Sequence, residues 1–427
     1  MKPTVQSNSL PGPEDITRVV LPNGITVLAR SNFNSQSAVI SGYLQSGSVF
    51  DPPERLGLAN FTSVTLMRGT QQRSFQQIFD ALESAGASLG FNASVHNTSF
   101  GGRCLVEDLP LLFNLLSESL RWPVFPAGDV ERVRAQLLTR LAMRDQDTSD
   151  VADLAFEKTI FGDHPYGCPE DGNPETVRPI TRDELAAFHQ RHYGPRGLVI
   201  AVVGALTGAQ AVEMVSQALG GWQNPDQAPF PPLPEIHPLA GPVRQHIALP
   251  GKFQTDLVMG TIGPRRSSPH FHAASLGNSV LGQFGMMGRI GDVVREQSGL
   301  AYYASTSLNA WIDSGSWQIS AGVNPANLQK AIDLIQVELR KFVEHGVTAE
   351  ELQDSQTNYI GRLPLSLESN GGVAGALLNI ERFELGLDYY QRYAGLISAV
   401  TPEMALEAAR AYIDPEKLAV ISCGPEQ

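Results

Sequence analysis

The apolar residues Leu58, Phe61, Val64 and Met67 recur every third position inside the stretch 54–70, ERLGLANFTSVTLMRGT, close to the repeat of an α-helix. The spacing predicts a buried helix that begins after Gly57. Phe75, Ile78, Phe79 and Leu82 carry the same pattern through 73–85, and 109–120, 128–144 and 150–160 read as further helices. The run ITRDELAAFHQRHY opens another, with Thr181 as N-cap and Glu184 three residues on, a capping box. Alternation marks the strands. RVVLPNGITVLAR, from Arg18, is two short runs around Pro22-Asn23-Gly24, and Asn-Gly between apolar runs is the strongest local hairpin signal. SAVISGYLQSGS (37–48) and ASLGFNASVHNTSFGGRCLV (87–106) are β-like, HPYGCPEDG (164–172) is a loop, and LVIAVVGAL (198–206) is apolar enough for a buried strand.

The pattern breaks between Gly221 and Pro242, where prolines stand at 225, 229, 231, 232, 234, 238 and 242. No helix or central strand accepts that density, so a semi-rigid extended linker is expected. The sequences on its two sides rhyme. ITRDELAAFHQRHYGPRGLVIAVVGAL resembles VTPEMALEAARAYIDPEKLAVISCGPE; Tyr193 and Tyr412 are 219 apart, Gly204 and Gly424 are 220 apart, and Leu120-Arg121 reappears as Leu339-Arg340. An offset held at three separated places implies two α+β domains related by duplication, over 1–222 and 243–427, joined by a linker over 223–242.

The chemistry of the stretch 54–70 turns on positions 60, 63 and 64, which fall on one helix face. With the flanking GLA and RGT, the stretch resembles the zinc helix of the pitrilysin, insulinase and mitochondrial processing peptidase family, the inverzincins. Their H-x-x-E-H motif presents two histidine ligands and a catalytic glutamate on one face. The matching residues of this chain are Asn60, Ser63 and Val64. Valine has no lone pair, asparagine offers a neutral amide, and a serine hydroxyl cannot replace a carboxylate as general base. In the family a second glutamate, on a later helix, completes the site; the matching position is Arg140, a cation that repels a dication. The resemblance covers nearly the whole chain. It implies two homologous domains, each an antiparallel sheet with helices packed on one face, and no metal in this chain.

The second half keeps more. Leu281 to Arg289 reads LGQFGMMGR and lacks the pattern of a phosphate-binding loop. Gly282, Gly285 and Gly288 read either as a close helix–sheet packing or, by resemblance to noncatalytic processing-peptidase subunits, as a segment that meets substrate. Then comes VREQSGLAYY, with Arg295 in a last helical turn, Gly299 as the residue that ends it, and Tyr302 at a strand start. The glycine should fold one toward the other. The spacing resembles the family's R-x-x-x-x-x-x-Y pair, in which arginine holds a substrate carbonyl and the tyrosine hydroxyl donates to the oxyanion. On the residues alone, a helix-capping arginine and a half-buried tyrosine fit equally well. Asn92-Ala93 resembles the edge strand that pairs with peptide substrate in the family, a role that needs only backbone. The pairs His189/His192 and His270/His272 lack a third ligand and read as packing or solvated residues. No Ser/His/Asp order or G-x-S-x-G is present.

The resemblance therefore implies a zinc-less subunit that lends Arg295 and Tyr302 to a homologous partner bearing H-x-x-E-H and zinc, acting on peptides. A scaffold or peptide-holding pseudoenzyme, alone or as a homodimer, is the other form such a chain takes. The net charge of −13 argues against nucleic acid and an anionic membrane as partners. Cys104, Cys168 and Cys423 are widely spaced and odd in number, and residues 1–15 lack signal or transit character, so a cytoplasmic, reduced chain is expected.

Overall fold

The computed structural model describes residues 10–283, 285 and 288–426. The terminal residues 1–9, read above for a targeting segment, and Phe284, Met286 and Met287 of the glycine-rich run lie outside them. Strands β1 (Ile16–Val20), β2 (Thr26–Ser31), β3 (Ser37–Leu44), β4 (Ser88–Ala93), β5 (Thr98–Leu105) and β6 (Val199–Gly204) form one sheet in the order β1-β2-β6-β3-β5-β4. Strands β7 (Val243–Ala248), β8 (Thr255–Gly263), β9 (Ala301–Ala310), β10 (Gly315–Val323) and β11 (Ala419–Gly424) form a second, ordered β7-β11-β8-β10-β9. Substituting β7, β11, β8, β10 and β9 for β2, β6, β3, β5 and β4 makes the two orders coincide, with β1 the extra strand at the edge of the first sheet. The duplication is thus written in the topology as well as in the sequence.

Two features depart from the expected layout. Each sheet is mixed, not purely antiparallel: β6 runs parallel to β2 and antiparallel to β3, and β11 stands likewise between β7 and β8. A strand slotted between two that run in opposite directions must be parallel to one of them. Helices also cover both faces. The helices Leu58–Thr65, Leu109–Arg121 and Arg182–His192 pack on the first sheet from its own half. Its other face, formed by Ile16, Leu28, Tyr43, Val199, Ala201 and Val203, is covered by Val373, Leu377 and Ile380 of the helix Asn370–Arg382, from the second half. In exchange, Ala152, Phe156 and Ile160 of the helix Thr148–Phe161 cover Val258, Ile421 and Cys423 of the second sheet. Every residue of β6 and of β11 is buried, which is why both read as unbroken apolar runs and not as alternating ones.

Polar contacts fix the exchanged helices. Asn370 Nδ2 donates to the Ser37 carbonyl (2.9 Å), Arg18 pairs with Glu381 through two hydrogen bonds of 2.8 and 2.7 Å, and Thr148 Oγ1 donates to Asp256. Residues 223–242 form neither helix nor strand. The segment is nevertheless pinned to the first half: the Phe230 ring stacks on His96 at 5.6 Å, and Gln227 exchanges hydrogen bonds with the Arg196 backbone.

Candidate functional site

The helix Leu58–Thr65 starts at Gly57, whose φ of +90° suits glycine, and a buried carboxylate closes its first turn. Asp51 accepts from the N–H groups of Gly57 (2.8 Å) and Ala59 (2.9 Å). Burial pushes its carboxyl up to about 8, against the pull of those donors. The three positions of the altered motif now have definite settings. Ser63 is buried, with its hydroxyl donating to the Asn60 carbonyl at 2.8 Å. Val64 packs against the core of the first half. Asn60 is 5% exposed and its Nδ2 has no hydrogen-bond partner among the described residues.

The helix Ala127–Arg144 packs beside this one and carries Arg140 to the same place. Asn60 and Arg140 line one cavity of about 320 Å³ together with Asn92 and Ala93 of β4, the edge strand of its sheet. Four positions singled out separately in the sequence therefore converge. Glu157 from the exchanged helix Thr148–Phe161, Tyr166, Glu170 and Asp171 from the loop 164–172, and Trp311 from the second half complete the wall. None of these was marked by spacing. They come from elements that meet only in the fold, and Trp311 crosses from the other half of the chain.

The electrostatics of the cavity are unusual. Burial, with Asp153 and Glu170 as like-charged neighbours, pushes the Glu157 carboxyl up to about 7. Glu170 is raised mainly by burial, although the Val95 N–H donates to it at 3.1 Å. Arg144 holds Asp171 at 2.6 Å. Arg140 makes no ion pair or hydrogen bond among the described residues. Zinc does not fit this donor set: an amide N–H, a methyl pair and a guanidinium stand where imidazoles and a carboxylate would be needed. Among the described residues no group of three or more His, Cys, Asp or Glu side chains is placed to hold a metal ion.

In the second half, the short helix Gly288–Gly291 continues into a π-helical turn, Asp292–Gln297. Gly299, at φ +61°, ends it as expected, donating to the Arg295 carbonyl (2.9 Å), while Leu300 donates to Val294 (3.0 Å). Arg295 lies 3.6 Å from Glu296. Tyr302 is 74% exposed. The two side chains make no hydrogen bond or cation–π contact with each other, so the turn brings them to one end of β9 without joining them. Nor do they reach the cavity. Nine residue steps along the chain separate Tyr302 from Trp311, roughly 30 Å at about 3.3 Å per residue.

The remaining positions have definite surroundings. A side chain at Gly282 would collide with Thr306, and one at Gly288 (φ +63°) with the backbone of residues 280 and 282; Gly285 has φ +62° and open space around it. His189 Nε2 meets the Leu120 carbonyl at 2.8 Å and His192 packs between Phe50 and Phe188. His270 and His272 lie against Tyr412 and Tyr389. All three cysteines are free; Cys104 and Cys423 are buried, and Cys168 is half-buried at the cavity wall.

Known proteins resemble this chain along most of its length. A family model described as insulinase (peptidase family M16) matches residues 26–169, and one described as peptidase M16 inactive domain matches 179–359. An uncharacterized zinc protease of Streptomyces coelicolor is 27% identical over 361 residues, 84% of this chain and 78% of that protein. One of Mycobacterium leprae is 28% identical over 381 residues, 89% of this chain and 84% of its own. The crystal structure of a peptidase M16 inactive domain from Pseudomonas fluorescens superposes with a TM-score of 0.90 at 25% identity, covering 97% of this chain and 98% of that one. A protease from Helicobacter pylori shares the fold, with a TM-score of 0.88 at 18% identity over 97% of this chain and 100% of that one.

Proposed function

Because the chain belongs to peptidase family M16, we propose that it is the zinc-less subunit of a two-chain peptidase, lending Arg295 and Tyr302 to the metal site of an H-x-x-E-H homologue. The observation that carries this reading is the separation of the two sets of residues. The altered motif lies at a cavity with Arg140 in it, while Tyr302 stands open to solvent about 30 Å along β9, out of reach of that cavity. A donor so placed has no work to do within its own chain. Facing a partner's site, the Tyr302 hydroxyl would donate to the oxyanion that forms on a scissile carbonyl, and Arg295 would hold a neighbouring substrate carbonyl. The edge strand β4, with Asn92 and Ala93, offers backbone for an extended peptide to join.

The test mixes this protein with an M16 homologue bearing H-x-x-E-H and measures cleavage of an unstructured peptide. The mixture should cleave faster than either chain alone. Removing one oxyanion donor typically lowers kcat by about a hundredfold or more, so Arg295→Ala combined with Tyr302→Phe should remove most of the gain. Exposed Tyr302 makes no structural bond, so the variant's melting temperature should match the wild type. An unchanged rate in the double variant overturns the role.

A further inference from the structure

A second cavity, of about 560 Å³, opens in the second half between the helices Phe271–Gly282, Ala349–Ser366 and Tyr389–Ser398. Its size falls within the usual range for small-molecule sites, about 300–1,000 Å³. Its lining is unlike the rest of the molecule. Acidic residues outnumber basic ones 44 to 31 in the chain, yet two arginines and no Asp or Glu line this cavity. Both arginines lack a carboxylate partner among the described residues. They are held by aromatic rings instead. Arg266 lies 4.1 Å above Phe271 and 5.6 Å from the Tyr389 ring, and its Nη2 donates to the Tyr389 hydroxyl at 2.9 Å. Arg362 lies 4.8 Å above the Tyr359 ring.

Ring stacking fixes a guanidinium in place while leaving its in-plane N–H groups free to donate. Arg266 commits one of its side-chain donors to Tyr389, and the others remain. Around the two cations stand Tyr390 and Tyr393, and also His272, which burial keeps neutral by lowering it to about 4. A pocket that combines carboxylate-free guanidinium groups with flat aromatic walls selects for a ligand with the complementary halves.

We infer that this cavity is a binding site for a small anion carrying a planar ring, its carboxylate or phosphate held by Arg266 and Arg362 and its ring stacked on the tyrosines. It is separate from the cavity at Asn60 and Arg140: no residue lines both. The probe is phenyl phosphate, titrated by calorimetry into the intact protein, with inorganic phosphate and phenol as the two halves of the ligand offered alone. Phenyl phosphate should bind one per chain and more tightly than either half. A charged hydrogen-bond pair lost from such a site weakens binding by about tenfold or more. Arg362→Met, which keeps the stem and is exposed enough to fold, should show that loss, and Arg266→Met should show it where melting confirms a folded chain. Arg392→Met, whose salt bridge with Asp388 lies outside the cavity, should bind like wild type. Absence of saturable binding, or equal affinity in Arg362→Met and wild type, overturns the assignment; so does binding of inorganic phosphate as tight as that of phenyl phosphate.

Discussion

Leu377→Ala perturbs the first sheet from a residue that belongs to the second half of the chain. Leu377 is fully buried, in a layer with Val373 and Ile380 that faces Leu28, Tyr43, Val199, Ala201 and Val203. Truncating a buried leucine to alanine costs about 3–5 kcal/mol, the lost transfer energy plus that of the cavity left behind. The layer lies between one helix and a sheet, and such a site can partly collapse, so about 3 kcal/mol is the figure to expect. At about 1.4 kcal/mol per decade, that is a hundredfold rise in the open population. The informative measurement is where the openings occur. Amide hydrogen exchange at equilibrium should show β3 and β6 losing about a hundredfold protection along with the helix Asn370–Arg382, because that helix is the main cover packed against the strands on that face. The mirror change, Phe156→Ala in the first half, should loosen β8 and β11. If the helix alone exchanges faster while β3 and β6 keep wild-type protection, the two halves are not mutually dependent and the exchanged-helix account fails.

Other predictions concern the cavity. Between an unfolded value near 4.5 and a folded one of about 7, Glu157 holds a proton in the folded chain that the unfolded chain has released, so stability falls as pH rises through that window. Glu157→Gln should flatten the fall by about 1–2 kcal/mol, discounted from the full shift for partial exposure; melting curves at pH 5 and pH 8 with the same slope as wild type would contradict it. Writing the four family residues back, as Asn60→His, Ser63→Glu, Val64→His and Arg140→Glu together, should give a chain that binds one zinc ion. A folded variant that takes up no zinc in a chelator-competition titration would refute the matching of the two helices.

Much of this was legible in the sequence, for identifiable reasons. The helix Leu58–Thr65 and the hairpin β1–β2 declared themselves because one carries apolar residues at helical spacing and the other turns on Asn23-Gly24, both local signals; that the helix is buried on its other faces as well was not in its spacing. The repeat was legible because β6 and β11 sit at the same slot of matching sheets. What escaped was long-range. An apolar run such as LVIAVVGAL says that both faces are buried but not by what, so the covering of each sheet by the other half's helix had no sequence signature. Glu157 is the clearest case. Within its helix it is an unremarkable acid between Phe156 and Lys158, and it becomes part of a site only because that helix crosses to the second sheet and leaves Glu157 at the cavity wall. Arg295 and Tyr302 were legible only by their spacing; nothing local in the fold enforces contact between them.

The charge around Arg140 bears on how a cavity without zinc ligands stays open. Glu157, Glu170 and Asp171 line one small space; Arg144 pairs with Asp171, and Glu170 adds like-charge repulsion to the burial that raises Glu157. A dication would offset two of those charges. With zinc ligands gone, two substitutes act in its place. The Arg140 guanidinium supplies one positive charge, and the raised value of Glu157 means that a proton supplies another, since its uptake removes a negative charge without bringing in a metal. Reverting Arg140 alone to glutamate should therefore be worse than reverting all four positions. The single change adds a fourth acid and leaves Arg144, already paired with Asp171, as the nearby cation, whereas the quadruple change supplies ligands that recruit a zinc ion. The order of stability between the single and quadruple variants, measured with zinc present, discriminates this charge balance from a cavity in which Arg140 is a bystander.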